Sequence, residues 1–218
     1  LIIAARFVNM RLSVTGWEMK LKSISEIRRQ ELRRAAFAVL QTEGLAGATL
    51  EKVAQHAGAS KGIVLHYFRN KQELFEQAMR EANSELRNDV VVRLHKATTA
   101  EQRLRAIVEA NFDPRFFQPS VCQAWLSLCA EVPRDANLAR IQTVIHARMR
   151  SNLLSALRNL LPKDRCEAAA LHITTLIDGL WLRCGLEISA VSSVTALSLM
   201  NDVLDNILSH PDARRETP

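Results

Sequence analysis

The chain has 218 residues, 48% of them apolar, with seven glycines, six prolines and a formal net charge of +6. That length can bury an adequate core as one large domain or two modest ones. β-branched runs are short, no Asn-Gly occurs, and the one Asp-Gly, at 178–179, is not flanked by strand-like runs, which argues against a hairpin-rich fold and predicts an all-α protein.

No stretch is long and apolar enough to span a membrane. The opening LIIAARFVNMRLSVTGWEMK makes a poor signal sequence, because its apolar run is short and no basic region precedes it. Residues 1–23 read as an N-terminal extension. Met19 is a natural start, so residues 1–18 are expected to be poorly ordered or adventitious.

The spacing predicts about nine helices. The first covers Ile24 to Thr42, with Ile27, Leu32, Ala35, Ala36, Val39 and Leu40 on its apolar side and Arg28, Arg29, Arg33 and Arg34 making its outer part basic. Gly44 ends it. A short helix then starts at the N-cap Thr49 and stops at Gly58, where a tight turn needs a positive φ. Ser60 caps a second short helix, which Ile63, Val64, Tyr67 and Phe68 are expected to hold against its neighbours. Asn70 caps a third helix reaching about His95, whose residues Leu74, Phe75, Ala78 and Met79 should pack on the N-terminal unit. Leu86, Val90, Val91 and Leu94 should serve a second core. Further helices are predicted over Glu101–Asn111, Val121–Glu131, Ala136–Leu160, Arg165–Glu187 and Ser192–Leu208, followed by a polar tail over residues 211–218. This divides the chain into an N-terminal domain over residues 24–70 and a second domain over residues 71–210.

Two short capped helices crossing at a glycine are the pattern of a helix-turn-helix. Charge agrees: Met19 to Phe75 holds ten Lys and Arg against five Asp and Glu, whereas the chain from Glu76 onward is balanced at 17 of each. Positive charge is thus concentrated where phosphate attraction would use it. The helix from Ser60 to Phe68 is the candidate recognition helix, since side chains near its N-terminus would meet base edges. Lys61 has the reach for guanine O6 and N7, and Gly62 allows a close approach. Ser60, His66, Tyr67, Lys71 and the Thr49 hydroxyl complete the candidate DNA contacts.

Thr49, Val53-Ala54, Ala57-Gly58, Ser60, Gly62, Tyr67-Phe68 and Lys71 with Leu74 resemble the N-terminal signature of the TetR family of repressors. Leu65 departs from it, standing where most members carry an aromatic residue. KGIVLHYFRNK, EQRLRAIVEANFD, AWL and IDGLWLR further resemble the choline-responsive repressors of glycine betaine synthesis, the BetI group. The resemblance implies a homodimer joined through the last two helices, a small-molecule pocket in the C-terminal region, and repression relieved by choline. The runner-up is a repressor of the same fold answering another amine, a lipophilic cation or an acyl compound. Such a regulator works in the cytoplasm.

The pocket also has a chemical argument. A quaternary ammonium donates no hydrogen bonds, so aromatic faces and a carboxylate are what can hold it. Aromatics are 5% of the chain, yet Phe112, Phe116, Phe117, Trp125 and Trp181 lie in its C-terminal part, with Asp113 and Asp178 beside them. Asp178 and Trp181 share a helix face at i, i+3. Phe112, Asp113, Trp125, Asp178 and Trp181 are therefore the candidate ligand residues. Ile173, Leu176, Ile177, Leu180, Cys184, Leu197, Met200, Val203, Leu204 and Ile207 offer apolar surface for the dimer. An enzyme is not expected: no paired carboxylates, placed nucleophile, phosphate loop or metal spacing appears, and the six histidines are scattered. No metal or cofactor is expected. Cys122, Cys129, Cys166 and Cys184 should be reduced thiols.

Overall fold

The structure, a computed structural model, describes residues 2–188 and 191–209, with side chains from residue 24 onward. The polar tail falls outside the described residues, whereas the backbone of residues 2–23, read from the sequence as an extension ahead of a helix starting at Ile24, is helical and continuous with the first helix. All regular elements among the described residues are helices: α1 Ile2–Gly47, α2 Leu50–His56, α3 Lys61–Tyr67, α4 Lys71–Lys96, α5 Ala100–Asn111, α6 Pro119–Cys129, α7 Ala136–Leu157, α8 Lys163–Gly185 and α9 Ser193–Ser209. None of them is long and apolar enough to cross a membrane.

The helix starts follow local hydrogen bonding. Thr49, Ser60 and Asn70 each accept from the backbone N–H three residues on, and Thr99 forms a reciprocal capping box with Gln102. Gly44, with φ 62°, interrupts α1, and one further turn follows it before α2. Gly58, with φ 58°, makes the turn between α2 and α3, and no atom outside the turn crowds it; the backbone alone calls for glycine there.

Two apolar clusters hold the chain. Leu32, Ala36, Leu40, Val53, Val64, Phe68, Leu74 and Met79 lead the first, which also takes in Ala124 and Leu128 of α6 and Leu138 and Ile141 of α7. The second lies between α5, α7, α8 and α9, with Leu104, Ile107, Phe112, Leu153, Leu157, Ile173 and Met200 fully buried. Helix α4 runs from one cluster into the other: Leu74 to Met79 belong to the first, Leu86 and Val90 to the second. It is one continuous rod between the two.

Several apolar residues are not where periodicity alone put them. Ile27, Ile63 and Val91 are 55%, 41% and 43% exposed; Ile63 and Val91 each lie about 100° around the helix from a buried neighbour, and Ile27 precedes Leu32, the first buried position of α1. In α8 and α9, Ile173, Ile177, Leu180, Cys184, Met200 and Leu204 are buried within the subunit itself, so they are not free to form an interface. The large apolar side chains left outside, among the described residues of α8, α9 and the turn between them, are Leu171, Leu182, Leu186, Ile188, Val194 and Leu199.

Helix α8 crosses α6 at Gly185. A Cβ there would lie 2.7 Å from Leu126 Cδ1 and 2.9 Å from the Cys122 carbonyl carbon, closer than side chains pack. Gly185→Ala should lower stability by about 1–3 kcal/mol, the usual cost of overpacking. A denaturant melt of the variant checks this, and an unchanged midpoint would mean that the crossing is loose. Cys122 and Cys184 meet at the same crossing, and burial pushes the Cys122 thiol above its ordinary pKa. Such thiols are poor nucleophiles.

Candidate functional site

Two features could carry function: the outer face of α3, and a cavity behind it. Val64 of α3 is fully buried and the capping Phe68 nearly so, which seats the helix in the N-terminal cluster beside α2. Lys61, Gly62, Ile63, Leu65 and His66 are left on the outside. Lys61 Nζ rests 2.5 Å from Glu51 Oε1 of α2, an exposed pair of little energetic weight. It can swing to another anion. His66 and Tyr67 meet edge to face with ring centroids 5.0 Å apart, and the Arg29 guanidinium lies over Tyr67 at 5.8 Å. The Thr49 and Ser60 hydroxyls are occupied as caps but remain exposed. Lys71 turns inward: its Nζ donates to the Leu45 carbonyl at 3.0 Å and sits over the Phe75 ring at 5.6 Å. It ties the start of α4 to the end of α1.

The basic side of α1 is likewise largely engaged. Arg33 lies 2.8 Å from Glu26 and 3.3 Å from Glu81 of α4, and Arg34 lies 3.1 Å from Glu85. These arginines bind α1 to α4 along the cavity instead of standing out to a partner. Periodicity showed that they leave the core side, and could not show that α4 presents glutamates to meet them.

The cavity has a volume of about 810 Å³ and lies between α1, α4, α6, α7 and α8, with the loop before α6 at its edge. That is within the range of small-molecule sites. Of the five candidate ligand residues, Trp125, Asp178 and Trp181 line it together. The two indole rings are 6.4 Å apart at 71°, and Trp181 Nε1 donates to the Asn111 carbonyl at 3.1 Å, which fixes its ring. Asp178 is open to the cavity, yet the surrounding protein mass removes enough water to raise its carboxyl above the ordinary pKa, with His146 pulling it back. The other two candidates stand outside. Phe112 is fully buried, packed edge to face on Phe117 at 4.9 Å. Asp113 is held by Arg115 at 2.8 Å and by Arg93 at 2.6 Å, which bring its pKa down to about 2. Its charge is already matched.

Phe37 of α1, Gln142 and His146 of α7, and Thr174 of α8 also stand in the wall. The Gln142 and His146 side chains meet at 2.8 Å, while the amide oxygen of Gln142 is buried with no hydrogen-bond partner among the described residues. A polar pair at i, i+4 on a helix with apolar neighbours was a readable signal for these two. Phe37 carried none, since an aromatic on α1 reads as core. Among the described residues no group of three His, Cys, Asp or Glu side chains could hold a metal ion.

Among known proteins, the profile described as bacterial regulatory proteins of the tetR family matches residues 32–78, and the C-terminal profile of BetI-type transcriptional repressors matches residues 100–209. The HTH-type transcriptional regulator BetI of Escherichia coli K12 is 39% identical over 178 residues, 81% of this chain and 91% of that protein. In fold, a TetR transcription regulator from Haloarcula marismortui superposes with a TM-score of 0.76 at 17% identity, covering 84% of this chain and 100% of that one. A protein from Saccharomonospora viridis, crystallised in complex with choline, gives 0.76 at 19% identity and covers 88% and 100%.

Proposed function

Since the chain belongs to the TetR family of transcriptional regulators and carries a BetI-type C-terminal domain, we propose that it is a homodimeric repressor released from a partly palindromic operator by choline. It would thereby control genes for glycine betaine synthesis or choline import, acting in the cytoplasm where the chromosome is. The observation that carries the choline reading is the cavity wall: two indoles and one partly desolvated carboxylate face the same space. Aromatic faces attract a quaternary ammonium through their quadrupole, and Asp178 supplies the counter-charge. Gln142 and His146 stand in the same wall as polar groups for the ligand hydroxyl.

Release follows from where the cavity lies. Its walls include α1 and α4, which also frame the helix-turn-helix. A ligand that draws α7 and α8 toward α1 and α4 would tilt α4, and with it α3 at its N-terminus. Two recognition helices must stay about 34–36 Å apart to meet successive major grooves, so a small tilt is enough. Coupling of ~1–3 kcal/mol would loosen DNA binding about 5–150-fold, and operator and inducer would oppose each other reciprocally. The dimer would form on the exposed apolar residues Leu171, Leu182, Leu186, Val194 and Leu199 of the last two helices and the turn between them.

Calorimetric titration with choline, betaine aldehyde and glycine betaine is the direct test, together with DNA binding upstream of its own gene. Saturable choline binding that also releases the DNA is the expected result. DNA binding without any response to choline would leave the repressor and remove the inducer. The second reading, a larger amine or lipophilic cation, is favoured by one observation: about 810 Å³ lined also by Phe37, Leu86, Val121, Ile145 and Met149 is more room than so small a cation fills.

A further inference from the structure

We propose that Ile63 and Leu65 are sequence-reading residues, each packing against the 5-methyl group of a thymine in the major groove. The inference rests on the operator-binding reading above and adds what that helix recognises. Both side chains are large, apolar and outside, Ile63 41% and Leu65 42% exposed, on a helix of seven residues. Folding does not need them there, because Val64 and Phe68 supply the contact with the core. An apolar side chain turned to water at a conspicuous place on a small surface asks for a partner.

The helix geometry states which partner. Successive residues are turned by about 100°, so Ile63 and Leu65 flank the buried Val64 on opposite sides. Gly62 and His66 lie between them, pointing most directly away from the core. Glycine at 62 leaves the centre of the exposed face low, and the two aliphatic side chains stand as shoulders on either side of it. A helix laid in the groove by this face would bring its centre near the base edges and its shoulders toward separate base pairs. In the major groove thymine is the base that presents a methyl group, and aliphatic contact is how it is told from cytosine. The surroundings fit a polyanion more than a protein partner: Lys52 of α2, Lys61 of α3 and Arg69 just after it are exposed within the basic N-terminal part of the chain, while Lys71 beyond them is turned inward. Their acidic neighbours Glu43, Glu51 and Glu73 hold three of them in exposed pairs that a phosphate backbone can replace.

The test works on an operator of any sequence. Duplexes bound by the full-length protein are selected from a random pool, and each thymine of the selected site is replaced in turn by uracil. That change removes the methyl and keeps every hydrogen-bonding group. Two positions per half-site should each lose about fourfold in affinity, the worth of one methyl taken out of water. Leu65→Ser should abolish the uracil effect at one position only and Ile63→Ala at the other, with melting temperatures close to that of the parent since both residues are exposed. If duplexes are selected but uracil is tolerated throughout, or both effects survive in both variants, the assignment is overturned. If no duplex is enriched at all, the operator-binding reading itself fails, and this inference with it.

Discussion

Asp178→Asn should weaken binding of a quaternary ammonium ligand about 30- to 150-fold, or ~2–3 kcal/mol, while leaving the apo protein as stable as before or slightly more so. The substitution keeps the shape and removes the charge. We place the loss at the low end of what a buried counter-ion is worth because the carboxylate opens onto the cavity. The stability direction follows from linkage. Burial raises the folded pKa of Asp178 above its unfolded value, so the folded chain holds that proton more tightly. The contribution to stability is full below the ordinary carboxylate range and is lost as pH rises through the raised folded pKa. Above the ordinary carboxylate range the desolvated Asp178 therefore works against folding, and asparagine relieves it. Ligand affinity should behave in the opposite sense in the parent protein, declining on acidification as the carboxyl takes up its proton, and the decline should be missing in the variant. Calorimetry against pH reads both. An asparagine variant that binds choline as tightly as the parent would place the cation elsewhere in the cavity. Trp181→Ala is a less clean probe, since that ring also donates to the Asn111 carbonyl and packs on Phe117.

Gly62→Ala should move stability and DNA binding in opposite directions. Inside α3 nothing calls for glycine: its backbone is helical, and an added Cβ would meet only Ser60 Oγ, at an ordinary 3.7 Å. Alanine is the better helix former, so the variant should be more stable by about 0.5–1 kcal/mol. That corresponds to a rise in melting temperature of roughly 1–4 °C for a chain of this size. Operator affinity should drop about 5- to 150-fold, because a methyl forced into a packed contact costs ~1–3 kcal/mol. A variant that is both more stable and fully DNA-binding would show that the helix does not approach by this face. The contrast with Gly185 is useful: there the obstruction is inside the protein, and the same substitution should harm the fold itself.

Much of the chain was legible in its residues because the signals are local. Thr49, Ser60, Asn70 and Thr99 cap helices through bonds that span three residues, and Gly58 supplies a backbone angle other residues avoid. The helix-turn-helix is built almost wholly from such contacts, so its boundaries and its buried residues Val53, Val64, Phe68 and Leu74 are legible from spacing. The i, i+3 pairing of Asp178 and Trp181 was legible for the same reason, and both do face one cavity.

Other questions were decided by which helix lies opposite which. Phe112 and Asp113 carry the chemistry of a ligand site, but Phe112 meets Phe117 in the core and Asp113 meets Arg93 and Arg115. Arg33 and Arg34 count toward the basic outer part of α1, but α4 brings Glu81 and Glu85 to them. Ile173 and Met200 look like interface until the subunit buries them itself. By itself, then, the sequence determined the helices, their caps, the turn of the DNA-binding unit and the concentration of positive charge in it. The tertiary structure alone decided which aromatics and carboxylates share a cavity and which apolar residues remain outside. Periodicity orients a side chain about its own helix axis. What that side chain meets depends on partners brought in from distant parts of the chain, and local spacing carries no record of them.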